Sequence, residues 1–446
     1  MPERLRVVTS PRPRRAGAIC LSLLLFGVHA AAINNNREVT RPPPADGSGG
    51  QVIPYGFYNA GTGLAVAAVF LGKGYVQPQV LTVANAFVGT TGSYNVFLAN
   101  TDIKIPGADR LYVDQAAMYS EWDTVDSYQD GNPKYTGERA GSNGSDADNY
   151  IEAEGDDLFL HFNFKYLLPI GHGREPPPHQ FRLNNGILEP VTAAGGGSGW
   201  NPLATGRTIL ELRPFYRNQG FRDADTGLSS ENETAGLKFT IEYDNTDWYN
   251  NPTSGTNQRL TWAEDRGWID SNRTWNALQF RHSQYWNLGD SASALGRVLA
   301  FDAWTSHSFS WNETKTGDDG KPVFQRPPLF EGSTLGGLER QRGFPSNRFH
   351  DRSAVNYTLE YRHVPRWNPL PELPLLNRLF IPWWQWVAFV EVGRVNDQYE
   401  LDDLHSNMKM TIGGSVRALV YELVVRADFG VTQEGAEVQM FFNHPF

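Results

Sequence analysis

Two histidine–serine neighbours, His282-Ser283 and His307-Ser308, are the nearest this sequence comes to a nucleophile beside its base. Neighbouring residues of a strand point to opposite faces, so neither pair works as a couple, and no catalytic residue is expected. Asp123, Asp126 and Asp130-Gly131 approach a calcium loop but lack a ligand at every second position, so no metal site is expected. Gly195-Gly196-Gly197 leads into no phosphate-loop lysine, and Asp318-Asp319-Gly320 reads as a turn. The single cysteine, Cys20, lies in a segment expected to be removed, which excludes disulfides, thiol catalysis and cysteine-bound metal. No cofactor is implied. What remains is the chemistry of fixed charges, and its meaning depends on the elements that carry them.

The N-terminus reads as an export signal. Arg4, Arg6, Arg12, Arg14 and Arg15 precede an apolar core from Ala16 to Val28, and Val28-His29-Ala30 offers a cleavage site. That core is shorter than the roughly 20 residues a spanning helix takes. Removing residues 1–30 removes five Arg and one Glu, a net +4, so the charge goes from −10 to −14. An acidic surface argues against nucleic acid as a partner. Residues 31–50 are rich in Asn, Pro and Gly without apolar periodicity and read as a flexible linker.

From about residue 51 the chain alternates apolar and polar residues at period two. Leu237, Phe239, Ile241 and Tyr243 interleave with Lys238, Thr240, Glu242 and Asp244. Leu158, Leu160, Phe162, Phe164 and Tyr166 interleave with Phe159, His161, Asn163 and Lys165, and Leu423, Val425, Ala427 and Phe429 with Val424, Arg426 and Asp428. The exception, Pro371 to Ile381, reads as a short amphipathic turn of helix. A mean hydropathy of −0.45 excludes a bundle of spanning helices but not a barrel, whose strands are apolar on one face only. A soluble sheet with its charges outward has the same alternation. The export signal, strands of about ten residues and aromatics at strand ends favour the membrane. The predicted fold is all-β, a transmembrane antiparallel barrel of 16 strands over residues 51–446. Its long segments Glu121 to Asp157, Ser306 to Arg352 and 396–408 project outward, and Trp383, Trp384 and Trp386 read as a membrane-interface anchor. Val438, Met440, Phe442, His444 and Phe446 share one face of the last strand, where Phe442 and Phe446 form a terminal aromatic targeting signal of the kind outer-membrane barrels carry.

Leu335-Gly336-Gly337-Leu338 leads into Arg342-Gly343-Phe344, and Asp351-Arg352 opens the strand Ala354 to Arg362. This pattern resembles the bacterial surface antigen family, the BamA/TamA-like outer-membrane barrel. Asp244-Asn245-Thr246-Asp247, followed by Pro252 and Gly255, resembles its strand-turn-strand signature, and Phe389 to Gly393 the strand that holds the loop's acidic partner. The resemblance implies that Arg342, Gly343 and Phe344 form the tip of a long outer loop folded back into the lumen. Gln341 departs from the pattern, which usually has a branched apolar residue there. An arginine at a loop tip is ordinarily solvated, its ion pairs worth about 0–1 kcal/mol. Within a narrow lumen its fork can instead grip a carboxylate. Glu391 shares parity with Gly393 and should point inward, so Arg342 is expected to pair with Glu391, with Gly343 supplying a backbone angle that a side chain resists.

The resemblance further implies a barrel that assists insertion or translocation of protein, or lipid, at the outer membrane, without enzymatic activity. Residues 31–50 are too short for the POTRA modules that recruit clients in the family. Besides membrane lipid, the implied partners are client proteins or a separate periplasmic protein. The alternative is a passive pore or structural barrel, its selectivity set by inward charges such as Lys238, Glu242, Arg362, Arg417, Arg426 and Asp428.

Overall fold

In the computed structural model, sixteen strands form one antiparallel sheet, each pairing with its neighbour in sequence. The structure describes residues 34–38 and 49–446, apart from 60, 130, 176–178, 191–192, 228, 270, 312–313, 317–321, 375 and 421–422. The export signal expected over residues 1–30 lies outside them. The barrel strands are β1 (Gly49–Asn59), β2 (Gly63–Lys73), β3 (Leu81–Gly89), β4 (Tyr94–Lys104), β5 (Leu111–Ser127) and β6 (Ile151–Leu167). They continue as β7 (Arg207–Asp223), β8 (Ser229–Asp244), β9 (Gly255–Arg266), β10 (Thr274–Asn287) and β11 (Ala294–Ser308). The last five are β12 (Ser353–Pro365), β13 (Trp384–Asn396), β14 (Lys409–Val420), β15 (Leu423–Val431) and β16 (Ala436–Phe442).

The alternation read from the sequence separates the two faces as expected. On β6, Leu158, Leu160, Phe162, Phe164 and Tyr166 are exposed, whereas Phe159, Asn163 and Lys165 between them are buried. Exposed apolar side chains of this regularity suit lipid, which removes the penalty water would impose on them. Charges on the other face lie in the lumen and find partners there: the Lys165 ammonium sits 2.7 Å from both Asp102 and Asp114.

The β5–β6, β11–β12 and β13–β14 connections lie at one end of the barrel; the opposite end is here called the floor. Two floor connections are substantial. Between β6 and β7 the chain forms a 3₁₀ turn, Gly171–Arg174, and strands His179–Asn184 and Ile187–Leu188. Asn34–Glu38 pairs in parallel with His179–Asn184, and Gly49 and Gly50 belong to β1; the rest of the segment 31–50 expected to be a linker lies outside the described residues. Phe181, Leu183, Trp248, Val364, Trp383, Leu419 and Val424 make one buried cluster beneath the barrel. Trp383, expected at the membrane interface, is instead buried there and donates Nε1–H to the Gly186 carbonyl at 2.8 Å. The second connection, between β12 and β13, carries two 3₁₀ turns, Leu370–Glu372 and Leu376–Arg378, in the segment where the sequence predicts a turn of helix.

The two edges of the sheet, β1 and β16, meet by overlap. Phe442 and Tyr55 both pack against the cluster of Phe57, Ala65 and Phe87 on the inner face of β1 to β3. A cavity of about 300 Å³ at this seam is lined by Ile53 and Val69 from the inner face of β1 and β2, by Val416 and Met440 from the outer face of β14 and β16, and by Leu376 and Leu379 of the floor connection. Inner face therefore meets outer face, and among the described residues no backbone pairing joins β1 to β16.

Candidate functional site

The β11–β12 connection re-enters the barrel and places its tip against β12, β13 and β15. Gln341 bends the tip with a left-handed φ of +55°. It is held by its side chain, which donates to Asn356 Oδ1 at 3.0 Å and accepts from the Thr411 hydroxyl at 3.2 Å. This explains why an amide replaces an apolar residue there. Gly343 serves a different purpose from the one expected. Its φ lies outside the left-handed region, and what it supplies is clearance: a Cβ would meet the Thr432 and Thr411 methyls at 2.7 and 2.8 Å. Gly430 on β15 does the same from the opposite side, since a Cβ there would sit 1.9 Å from the Arg342 carbonyl oxygen. Two glycines let the loop backbone touch the barrel wall.

Arg342 is fully buried. Its backbone N–H donates to Glu391 Oε2 at 2.6 Å and its Nε–H to Oε1 at 2.8 Å, a two-point grip on one carboxylate. Nη2 lies 2.8 Å from Glu360 Oε1, Nη1 lies 3.5 Å from Asp428 Oδ1, and the guanidinium stacks 3.8 Å over the Phe389 ring. The expected Arg342–Glu391 pair is present, and it is the centre of something larger. Glu360 also accepts from Arg417 at 2.7 and 3.0 Å and from Arg362 Nε at 2.8 Å. Arg426 pairs with Asp428 and donates to the Leu338 carbonyl at 2.7 Å. Four guanidinium groups (Arg342, Arg362, Arg417, Arg426) thus surround three carboxylates (Glu360, Glu391, Asp428), 4 − 3 = +1, all buried.

Phe344 anchors the loop's apolar side. It is buried with Trp304, Leu335, Phe349 and Val395, edge-on to Phe349 at 5.0 Å. Gly393 makes room for that cluster, because a Cβ would meet Asn356 Oδ1 at 2.8 Å and Leu335 Cδ1 at 3.0 Å. At the loop end a second connection clamps the first: Arg348 donates to Glu434 Oε2 at 2.7 Å and to the Ser145 hydroxyl at 2.8 Å, and Arg139 pairs with Asp351. Burial, reinforced by the nearby arginines, pushes the His350 imidazole down to about 3.

Two expected groups lie elsewhere. Asp244, Asp247, Pro252 and Gly255 form the β8–β9 turn at the floor. Asp247 accepts backbone N–H groups from Trp248, Thr253 and Ser254 at 2.9, 2.9 and 3.2 Å; Gly255 adopts φ +97°, and a Cβ there would also strike the Asn245 carbonyl oxygen. The Asn245 and Asp247 carbonyls accept from Gly196 and Ala194, so this turn organises the floor and stays apart from Arg342. The C-terminal residues overturn the shared-face expectation. β16 ends at Phe442, Asn443 turns with φ +62°, and Phe446 stacks on Tyr285 inside the lumen. Arg281 donates to the Pro445 carbonyl at 2.5 Å, and His444 Nδ1 lies 2.6 Å from Arg417. Overlap at the seam directs the end of the last strand inward, so Phe446 does not continue its face. Glu360, Arg362, Arg417, Arg426 and Asp428 show in the sequence only as inward-facing charges.

The sequence matches the Omp85 superfamily domain over residues 204–442. The chain belongs to the Omp85 superfamily. Superfamily membership makes it an outer-membrane barrel, and the matched region contains the inserted loop, its carboxylate partners and the floor turn. Among solved structures, BamA from Haemophilus ducreyi lacking POTRA domains 1–3 is similar at 13% identity and a TM-score of 0.47, covering 89% of this chain and 69% of that one. CdiB from Acinetobacter baumannii is similar at 8% identity and a TM-score of 0.46, covering 89% of this chain and 59% of that one. No curated protein sequence matches the chain.

Proposed function

We propose that this barrel assists the insertion or translocation of other proteins at the outer membrane, acting at the seam between β1 and β16. The observation that carries the reading is the overlap of those edges without backbone pairing among the described residues. An edge strand with unmade hydrogen bonds is a template on which another strand can add. In lipid every unmade backbone bond costs several kcal/mol, so an edge held only by side-chain packing is a site of low local stability. The Arg342 cluster supports the same reading: it fastens the inserted loop to β12, β13 and β15 and keeps the wall beside the seam rigid. A lumen occupied by that loop and by the residues after β16 is a poor open pore.

The test joins the overlapping edges covalently. Tyr55→Cys with Phe442→Cys should form a disulfide across the seam, and the oxidised protein should lose its activity while the reduced protein keeps it. Quantitative outer-membrane proteomics should then show a selective fall in other barrels or exported proteins, and that set names the clients. An unchanged proteome with altered small-solute uptake would replace this reading by a passive pore.

A further inference from the structure

A second cluster of cations in the lumen is arranged in the opposite way from the Arg342 cluster. Between the β7–β11 wall and the inserted loop lies a half-open cavity of about 240 Å³. Six cationic side chains line it: Arg213, Arg217, Lys238, Arg259, Arg281 and Arg340. Only two carboxylates do, Glu331 and Glu339. Those that pair with Arg217 (Asp157), Arg259 (Glu211, Glu242) and Arg281 (Asp302) are not on its surface.

The strand register sharpens the point. Arg213 on β7 stands directly opposite Lys238 on β8, and Arg259 on β9 directly opposite Arg281 on β10. Like charges facing each other across a ladder are destabilising. Lys238 has Glu331 as a counter-ion, but Arg213 has no hydrogen-bond or carboxylate partner among the described residues. Arg340 stacks 4.0 Å from the Trp304 ring and reaches Glu339 at 3.2 Å, while its buried Nε–H has no acceptor among the described residues. Thr240 and Thr261, hydrogen-bonded to each other at 2.9 Å, add hydroxyls to the wall. Unmet donors, facing cations and a cavity between them are what an oxyanion site looks like before its anion arrives.

We propose that this cavity binds a phosphate-bearing ligand, with Arg213, Lys238 and Arg340 as its contacts. Guanidinium forks and an ammonium suit the several oxygens of a doubly charged phosphate better than the two of a carboxylate. The phosphate can arrive on a membrane-lipid headgroup or on a soluble compound. The volume admits either head but leaves no room for acyl chains, which would have to stay outside.

The experiment measures binding and thermal unfolding of the full chain in detergent with inorganic pyrophosphate and, separately, with dihexanoyl phosphatidic acid. At least one should bind saturably with one-to-one stoichiometry and raise the midpoint. Response to both indicates a soluble phosphate compound, and response to the lipid alone indicates a headgroup. Arg213→Gln should weaken binding at least tenfold while leaving the empty protein as stable as the parent or more so, because a like-charge pair is gone. That combination separates a ligand contact from a structural role, which would lower the midpoint in both states. Arg340→Gln, on the loop side, should weaken binding similarly and serves if the first variant fails to fold. No saturable binding of either probe, or undiminished binding by the folded variants, overturns the proposal.

Discussion

The same lumen holds two arginine clusters with opposite logic. Around Arg342, cations alternate with carboxylates at hydrogen-bond distance, and three elements distant in sequence are tied together. Around Arg213, cations face cations across the ladder, and the carboxylates that pair with Arg217, Arg259 and Arg281 lie off the cavity. A buried guanidinium therefore has no fixed meaning. With its carboxylates in place it is a structural tie; with them displaced it is a waiting donor.

The most severe way to break this contrast is Arg342→Ala, which strands Glu391 in a buried site and leaves Glu360 to Arg417 and Arg362. Removing one partner of a buried pair costs about 3–5 kcal/mol. Urea unfolding should register that loss, and the segment from Ser306 to Arg352 should become cleavable by added protease while the strands persist. Gly430→Ala attacks the same tie through space alone. With a Cβ 1.9 Å from the Arg342 carbonyl oxygen, backbone must move, at a cost of about 1–3 kcal/mol; the midpoint should fall without loss of any charge.

The clamp at the loop end adds a dependence on pH. His350 is depressed from an ordinary value of 6.5 to about 3, so the docked loop keeps it neutral while the released loop binds a proton. Its contribution to stability is intact above 6.5 and is lost as pH falls toward 3. Between pH 7 and 5 this amounts to about 2 kcal/mol, at 1.36 kcal/mol per unit. Protease protection of the loop should weaken over that range, and His350→Leu should flatten the profile. The smallest effect has the opposite sign: Arg213→Gln should stabilise the empty barrel by about 0.2–1 kcal/mol, the range for a cross-strand pair, as read by thermal unfolding.

Much of the architecture was legible in the residues. Period-two alternation identified the inward and outward faces, as with Phe164 outward and Lys165 inward, and narrowed the count to fifteen or sixteen strands, of which a closed barrel takes the even number. The Arg342–Glu391 pair was legible because a motif located the loop tip and parity aimed the carboxylate. Glu360 and Asp428 were equally inward by parity, yet nothing local said that they converge on the same guanidinium. Trp383 and Phe446 were misread for a related reason. An aromatic near a strand end is an interface anchor in one setting and the core of a floor or lumen in another, and only the neighbours decide.

By itself, then, the sequence determined the faces of the strands, because these follow from short-range periodicity; the choice of sixteen over fifteen strands rested on the evenness of closed barrels, and the loop that turns inward on the family resemblance. The tertiary structure alone decided which inward charges meet, where β1 and β16 overlap, and that the chain after β16 enters the lumen. Those outcomes depend on sheet curvature and on contacts between residues 18 to 86 positions apart around Arg342. Over such distances a charge has many prospective partners, and only closure of the sheet selects among them.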